Sequence, residues 1–178
     1  MVPVRIIAIF VGIFVIVAAT YGQTPAIASQ SNSHGEMIRR GNQVMGFAAE
    51  KTAHHFRLFP DGGAIEVSAN DPKDTESRDQ IRMHLSRIAS MFTEGNFNAP
   101  MLVHHTTPPG VATMTKLCAD ITYEYEEAPS GARIRIRTQN PPALDAIHAF
   151  LLFQIIEHRT GDSASLAPAF GTTAEHFQ

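Results

Sequence analysis

The sequence predicts an α+β fold in which two ββα units form one antiparallel four-stranded sheet with helices packed on one face. Three observations predict it. Two stretches alternate apolar and polar residues across a proline-glycine turn. Each is followed by an Asx-Pro pair and a stripe of apolar residues at helical spacing. The halves also share short strings. Gly-Gly-Ala-Ile-Glu-Val, Asn70-Asp71-Pro72 and Ile81-Arg-Met-His84 in one answer to Gly-Ala-Arg-Ile-Arg-Ile, Gln139-Asn140-Pro141 and Ala146-Ile-His148 in the other. A sheet covered on one face by two helices is the natural way to bury such stripes.

The chain opens with one basic residue, Arg5, and an uncharged run from Ile6 to Ala19. That run is short of the roughly 20 apolar residues needed to cross a bilayer. It is followed by Ala26-Ile27-Ala28, a small-x-small pattern that suits signal cleavage after Ala28. Residues 1–28 are therefore expected to direct export, making the protein periplasmic or secreted with no membrane segment after cleavage. About 150 residues remain, enough for one core. A formal charge of −3 gives no nucleic-acid surface. The single cysteine, Cys118, rules out an internal disulfide and, beside Leu117, suits a buried thiol.

Residues 29–43 are polar and aperiodic and are expected to form a flexible lead-in, with at most a helical turn near Met37. A single domain is expected over residues 44–162, with halves at about 50–95 and 119–160. In the first hairpin His54, Phe56 and Leu58 share a face, Pro60-Asp61-Gly62-Gly63 turns the chain, and Ile65 and Val67 return. Asp71 and Pro72 are expected to start a helix carrying Ile81, Leu85, Ile88 and Phe92, which stops at Gly95. Residues 96–110 read as irregular and Val111 to Leu117 as a short helix. The second hairpin sets Glu124 and Glu126 against Arg133, Arg135 and Arg137 across Pro129-Ser130-Gly131, a structural charge pairing. The last helix opens at Asn140-Pro141 and runs through Leu144, Ile147, Leu151 and Ile155 to His158. Its end places His158 and Arg159 where cations favour the helix dipole. Residues 163–178 read as a loose tail.

Nine histidines raise a metal reading, since neutral imidazole ligates zinc and copper. His84 and His148 fall near the core side of their helices and could meet across a pseudo-twofold. His54 and His104 could complete a set of His54, His84, His104 and His148. Methionines such as Met45 and Met101 offer soft sulfur for copper, although methionine also fills core gaps. The opposing reading is that each ring is satisfied by a neighbouring carbonyl, carboxylate or hydroxyl. Adjacent pairs such as His54-His55 are poor chelates in a strand, and His148 and His158 are too far apart on one helix to share an ion. No metal, nucleophile or phosphate-loop motif is present, which weighs against an enzyme.

The segments Val44-Met-Gly-Phe47, Lys51-Thr-Ala-His-His-Phe56, Gly63-Ala-Ile-Glu-Val67, Asn70-Asp-Pro72, Ile81-Arg-Met-His-Leu85, Pro108-Pro-Gly110 and Ala146-Ile-His148 through Glu157-His-Arg-Thr-Gly161 resemble a family of small exported bacterial proteins. The resemblance spans roughly residues 41–162. Some members are named aspartate carbamoyltransferase, but this chain lacks the Ser-Thr-Arg-Thr carbamoyl-phosphate loop and is about half the length of those enzymes. The resemblance implies a shared fold and a histidine site at positions matching His54, His84, His104, His148 and His158, and it assigns no reaction. Where members read Thr-Thr-His, this chain has Thr52-Ala53-His54. Three functions are thus expected in order: a periplasmic protein holding copper or zinc through histidines; an envelope interaction module using a strand edge or the 96–110 segment to bind a protein; and a small hydrolase-like or transferase enzyme.

Overall fold

The computed structural model describes residues 25–169. The residues before 25, which carry most of the expected signal, and those after 169 lie outside the described part. Strands β1 (Thr52–Phe59), β2 (Gly62–Ala69), β3 (Ile121–Ala128) and β4 (Gly131–Thr138) form one antiparallel sheet in the order β1-β2-β4-β3. Five helices accompany it: α1 (Pro25–Met45), α2 (Thr75–Thr93), α3 (Asn98–His104), α4 (Val111–Lys116) and α5 (Pro141–His158). The expected α+β architecture is the observed one. Among the described residues no helix is long and apolar enough to cross a membrane.

The two ββα units meet at β2 and β4, whose pairing sets Val67 opposite Ala132 and Ile65 opposite Ile134. Each helix then crosses to the other unit. Helix α2 lies mainly over β3 and β4, and α5 lies mainly over β1 and β2. The inward residues of both hairpins and both helices form one cluster, with Ile81, Ile134, Ile136, Ile147 and Leu151 fully buried. Neither half could bury its stripe alone, because its own helix covers its neighbour.

The opposite sheet face carries the charge pairing expected from the sequence. Arg137 Nη1 donates to Glu124 Oε2 at 2.5 Å, and Arg133 pairs with Glu126. Arg133 also reaches Glu66, which receives Arg57 Nε at 3.0 Å. Arg135 is fully buried on this face. It donates to Gly63 O at 2.9 Å, pairs with Asp61 and sits 4.7 Å from the centre of the Phe59 ring.

Four local expectations are corrected. The stretch 29–43 belongs to α1 rather than to a flexible lead-in. Its lack of periodicity in sequence reflects a narrow contact, in which α1 packs on α3, buries Met37 and sends Arg40 Nε to Val103 O at 2.9 Å. Cleavage after Ala28 would fall within this helix. The segment 96–110 holds α3, where Phe97, Ala99 and Val103 are buried. Helix α2 begins at Thr75, capped by Asp74, which accepts from Ser77 N at 3.0 Å. Asp71 instead accepts from Lys73 N at 2.9 Å, so the Asp71-Pro72 pair makes a turn ahead of the helix. The tail is not wholly loose, since Ala167 N donates to Leu58 O at 2.8 Å on the edge of β1.

The end of the β1–β2 turn packs tightly against β4. Gly62 has φ +144°, and a methyl group there would lie 2.1 Å from Ile136 O. Gly62→Ala is therefore expected to destabilise the protein by about 3 kcal/mol, because neither the backbone angle nor the neighbouring strand can yield cheaply. A urea unfolding series showing a lower midpoint at unchanged slope would bear this out; an unchanged midpoint would refute the close packing of this turn.

Candidate functional site: a histidine-lined cavity

A cavity of about 80 Å³ lies between the sheet, α2, α3 and the end of α5. Its wall includes four histidines: His54 from β1, His84 from α2, His104 from the last residue of α3, and His158 from the last residue of α5. The rest of the wall is apolar apart from Gln154 and the thioether of Met45. Among the described residues no Asp, Glu, Lys or Arg lines it.

The rings are arranged around His158. Its centre lies 5.8 Å from that of His54 in a near-parallel stack and 5.1 Å from that of His104 at an interplanar angle of 87°. Phe47 separates His54 from His84, with ring centres at 6.2 and 5.6 Å. His104 Nε2 donates to Gln154 Oε1 at 2.9 Å, and its Nδ1 is buried with no partner. The same Gln154 has a buried, unpartnered Nε2. The rings of His54, His84 and His158 take part in none of the hydrogen bonds among the described residues. Unsatisfied buried polar groups are few in folded proteins, and each calls for an explanation.

Burial holds all four rings in their neutral form. It pushes His54 and His84 down to about 4 and His158 down to about 3, and it lowers His104 as well. Neighbouring histidines add to the effect on His54 and His158, and Arg87 adds to that on His84. The expectation of a cationic His158 at the helix terminus is thereby overturned. Loss of hydration and repulsion from His54 and His104 outweigh the dipole.

Backbone geometry marks the same place. Among the described residues the non-glycine residues with positive φ are His105 (55°) and Arg159 (53°). Each directly follows a cavity histidine and closes the helix that ends there. Such conformations carry a cost of order 1–3 kcal/mol and concentrate at functional sites.

Of the histidines singled out by sequence, His54, His84 and His104 line the cavity, and His148 does not. His148 Nε2 donates to Phe59 O at 2.9 Å and to Gly62 O at 3.0 Å, binding the β1–β2 turn. Its counterpart in the other half is Arg82, which donates to Ala128 O at 2.7 Å and Gly131 O at 3.2 Å on the β3–β4 turn. The structural repeat thus aligns Ile81-Arg82 with Ile147-His148. The repeat inferred from sequence, which matched His84 with His148, is out of register by two residues. Counting from these anchors, Phe150 occupies the position of His84, and Tyr123 that of His54. The half with aromatic rings makes an ordinary core in which Phe92 contacts both Tyr123 and Phe150. The half with imidazoles makes the cavity.

The sequence offers His158 as a candidate that cannot share an ion with His148. The geometry joins it to His54 and His104 instead. The signal was present in the i, i+4 spacing of Gln154 and His158, which puts both on one helix face. Two of the remaining histidines have local partners. His55 pairs with Asp162 Oδ1 at 2.8 Å, and His34 Nδ1 meets Glu157 O at 3.2 Å. Among the described residues no group of three or more His, Cys, Asp or Glu side chains converges as a metal site would.

The neutral cluster dictates a pH dependence. A histidine whose folded pKa lies below its unfolded value of about 6.5 takes up its proton only on unfolding, so stability is full above that pH and is lost as pH falls from about 6.5 toward 4. With chelator present, unfolding free energy is expected to be flat from pH 7 to 8 and to fall below 6.5 by on the order of 1 kcal/mol per pH unit for each such histidine. Replacing His158 by Phe should remove one histidine's share of that slope; an unaltered slope would contradict its neutral burial. Comparison of the chain with family models, with curated proteins and with solved structures finds no match.

Proposed function

We propose that this is a transition-metal-binding protein of the bacterial envelope, with His54, His104 and His158 as the principal ligands and His84 closing the site. One observation carries the reading: four neutral imidazoles, three of them without a hydrogen bond among the described residues, face one small cavity, and two of them, His54 and His84, stand where the other half of the fold has aromatic rings. Neutral imidazole is the form that binds a metal. At zinc–nitrogen distances of roughly 2.0–2.1 Å, two tetrahedrally placed imidazoles have ring centres about 5 Å apart. The separations of 5.1 and 5.8 Å around His158 are close to that value. Ligation asks for ring rotation, which is soft for histidine, and not for movement of the strands or helices.

The bond from His104 to Gln154 supports the same reading. A ligating histidine ordinarily donates its second ring N–H to a neighbouring acceptor, which fixes the tautomer and raises ligand basicity. His104 does this through Nε2, leaving Nδ1 with a lone pair. The cavity is too small for the 300–1,000 Å³ ligands typical of substrate pockets, and it suits an ion. Capture or delivery of a metal fits these features better than catalysis.

Purified protein is expected to bind one ion per chain. His158→Ala should weaken binding at least about a hundredfold. His148→Ala should leave affinity unchanged while lowering stability by about 1–3 kcal/mol, because two turn carbonyls lose their donor. The double change His54→Tyr with His84→Phe, which copies the aromatic half, should keep the fold and abolish binding. Metal analysis and calorimetry detecting no zinc or copper, or full binding in the double variant, would reject the reading.

A further inference from the structure

We infer that the cavity selects a monovalent soft cation, Cu(I), over divalent zinc or copper, with the Met45 thioether joining His54, His104 and His158. This rests on the metal-binding reading above and goes further in naming the ion and its oxidation state.

Among the described residues the cavity wall offers imidazoles, one amide, one thioether and hydrocarbon, and no carboxylate or thiolate. A divalent ion there would keep both its charges uncompensated. The cost of burying an ion rises with the square of its charge, so a divalent ion meets about four times the penalty of a monovalent one of similar size. The fixed charges outside the wall do not share one sign of effect: Arg87 disfavours added positive charge at His84, while at His104 Glu157 favours it more than Arg40 disfavours it.

Ligand softness points to the same ion. Thioether sulfur favours Cu(I), whereas carboxylate and water suit harder ions. Met45 closes α1 and lines the same cavity as the four histidines. Cu(I) accepts two to four ligands and needs no water in its shell, which suits a wall of this apolarity. Zinc takes four ligands in a tetrahedron and in an open site keeps a water.

The test is a titration of the full chain under anaerobic conditions with Cu(I), in competition with a colorimetric Cu(I) chelator. Ag(I) serves as a monovalent probe that does not change oxidation state, and Zn(II) and Cu(II) are titrated in parallel. One equivalent of Cu(I) or Ag(I) should bind at least about a thousandfold more tightly than Zn(II). Zn(II) or Cu(II) binding as tightly as Cu(I) would overturn the selectivity and leave the metal-binding reading standing. Failure of all four ions to bind would overturn both. Met45→Leu conserves volume and should fold normally. It is expected to weaken Cu(I) and Ag(I) about tenfold with little effect on Zn(II); unchanged Cu(I) affinity would remove the thioether from the site.

Discussion

The crossing of each helix onto the other half's hairpin is the constraint on which the fold depends. It is fixed by two side chains that do the same task with different chemistry. Arg82 binds the carbonyls of the β3–β4 turn, and His148 binds those of the β1–β2 turn. Each spans from a helix to a turn that its own hairpin does not contain. With both in place, the sheet and the two long helices form one body with a shared core. The β1–β2 turn is also held from the opposite sheet face by Arg135, through Gly63 O and Asp61. The carbonyls of this turn thus have donors on both sides, which a tight turn between buried strands requires.

Much of this was legible in the sequence. Strand alternation placed Phe56, Ile65, Ile134 and Ile136 in the core, and the facing charges of β3 and β4 pair as their spacing implied. The Asn140-Pro141 start was legible because the cap and the fixed proline angle act locally. The other start, at Asp71-Pro72, was misplaced because a second aspartate one turn later competes for the cap, and Ser77 decides in favour of Asp74. Helices α1 and α3 were missed for another reason. Each is held by the other and by the edge of the core, so neither carries a stripe broad enough to show as periodicity.

The site was half legible. Residue type and strand facing drew attention to His54, and the helix wheel to His84. The slip came from pairing histidine with histidine across the repeat. In the folded chain a histidine answers to an arginine at the turns, and aromatic rings answer to histidines in the core. Similar residues at similar places were a poor guide to register, because the two halves have diverged in what they do. The partners of His158 were not legible, because His54 and His104 come from β1 and α3 and no local pattern links those elements. Burial of His104 Nδ1 and Gln154 Nε2 without partners is costly in a domain of this size.

His54 and His158 have a further consequence. Both also line a second groove of about 320 Å³, bounded by His34, Glu50 and Thr160, so they stand between that groove and the histidine-lined hollow. The same two rings face inward and outward. An occupant of the cavity could then exchange past two side chains, with no domain to open and no hinge to bend. Side-chain turning is fast compared with collective opening. Residence time would be governed by the strength of the contacts made inside, and the two rings that hold the occupant would also be the gate through which it leaves.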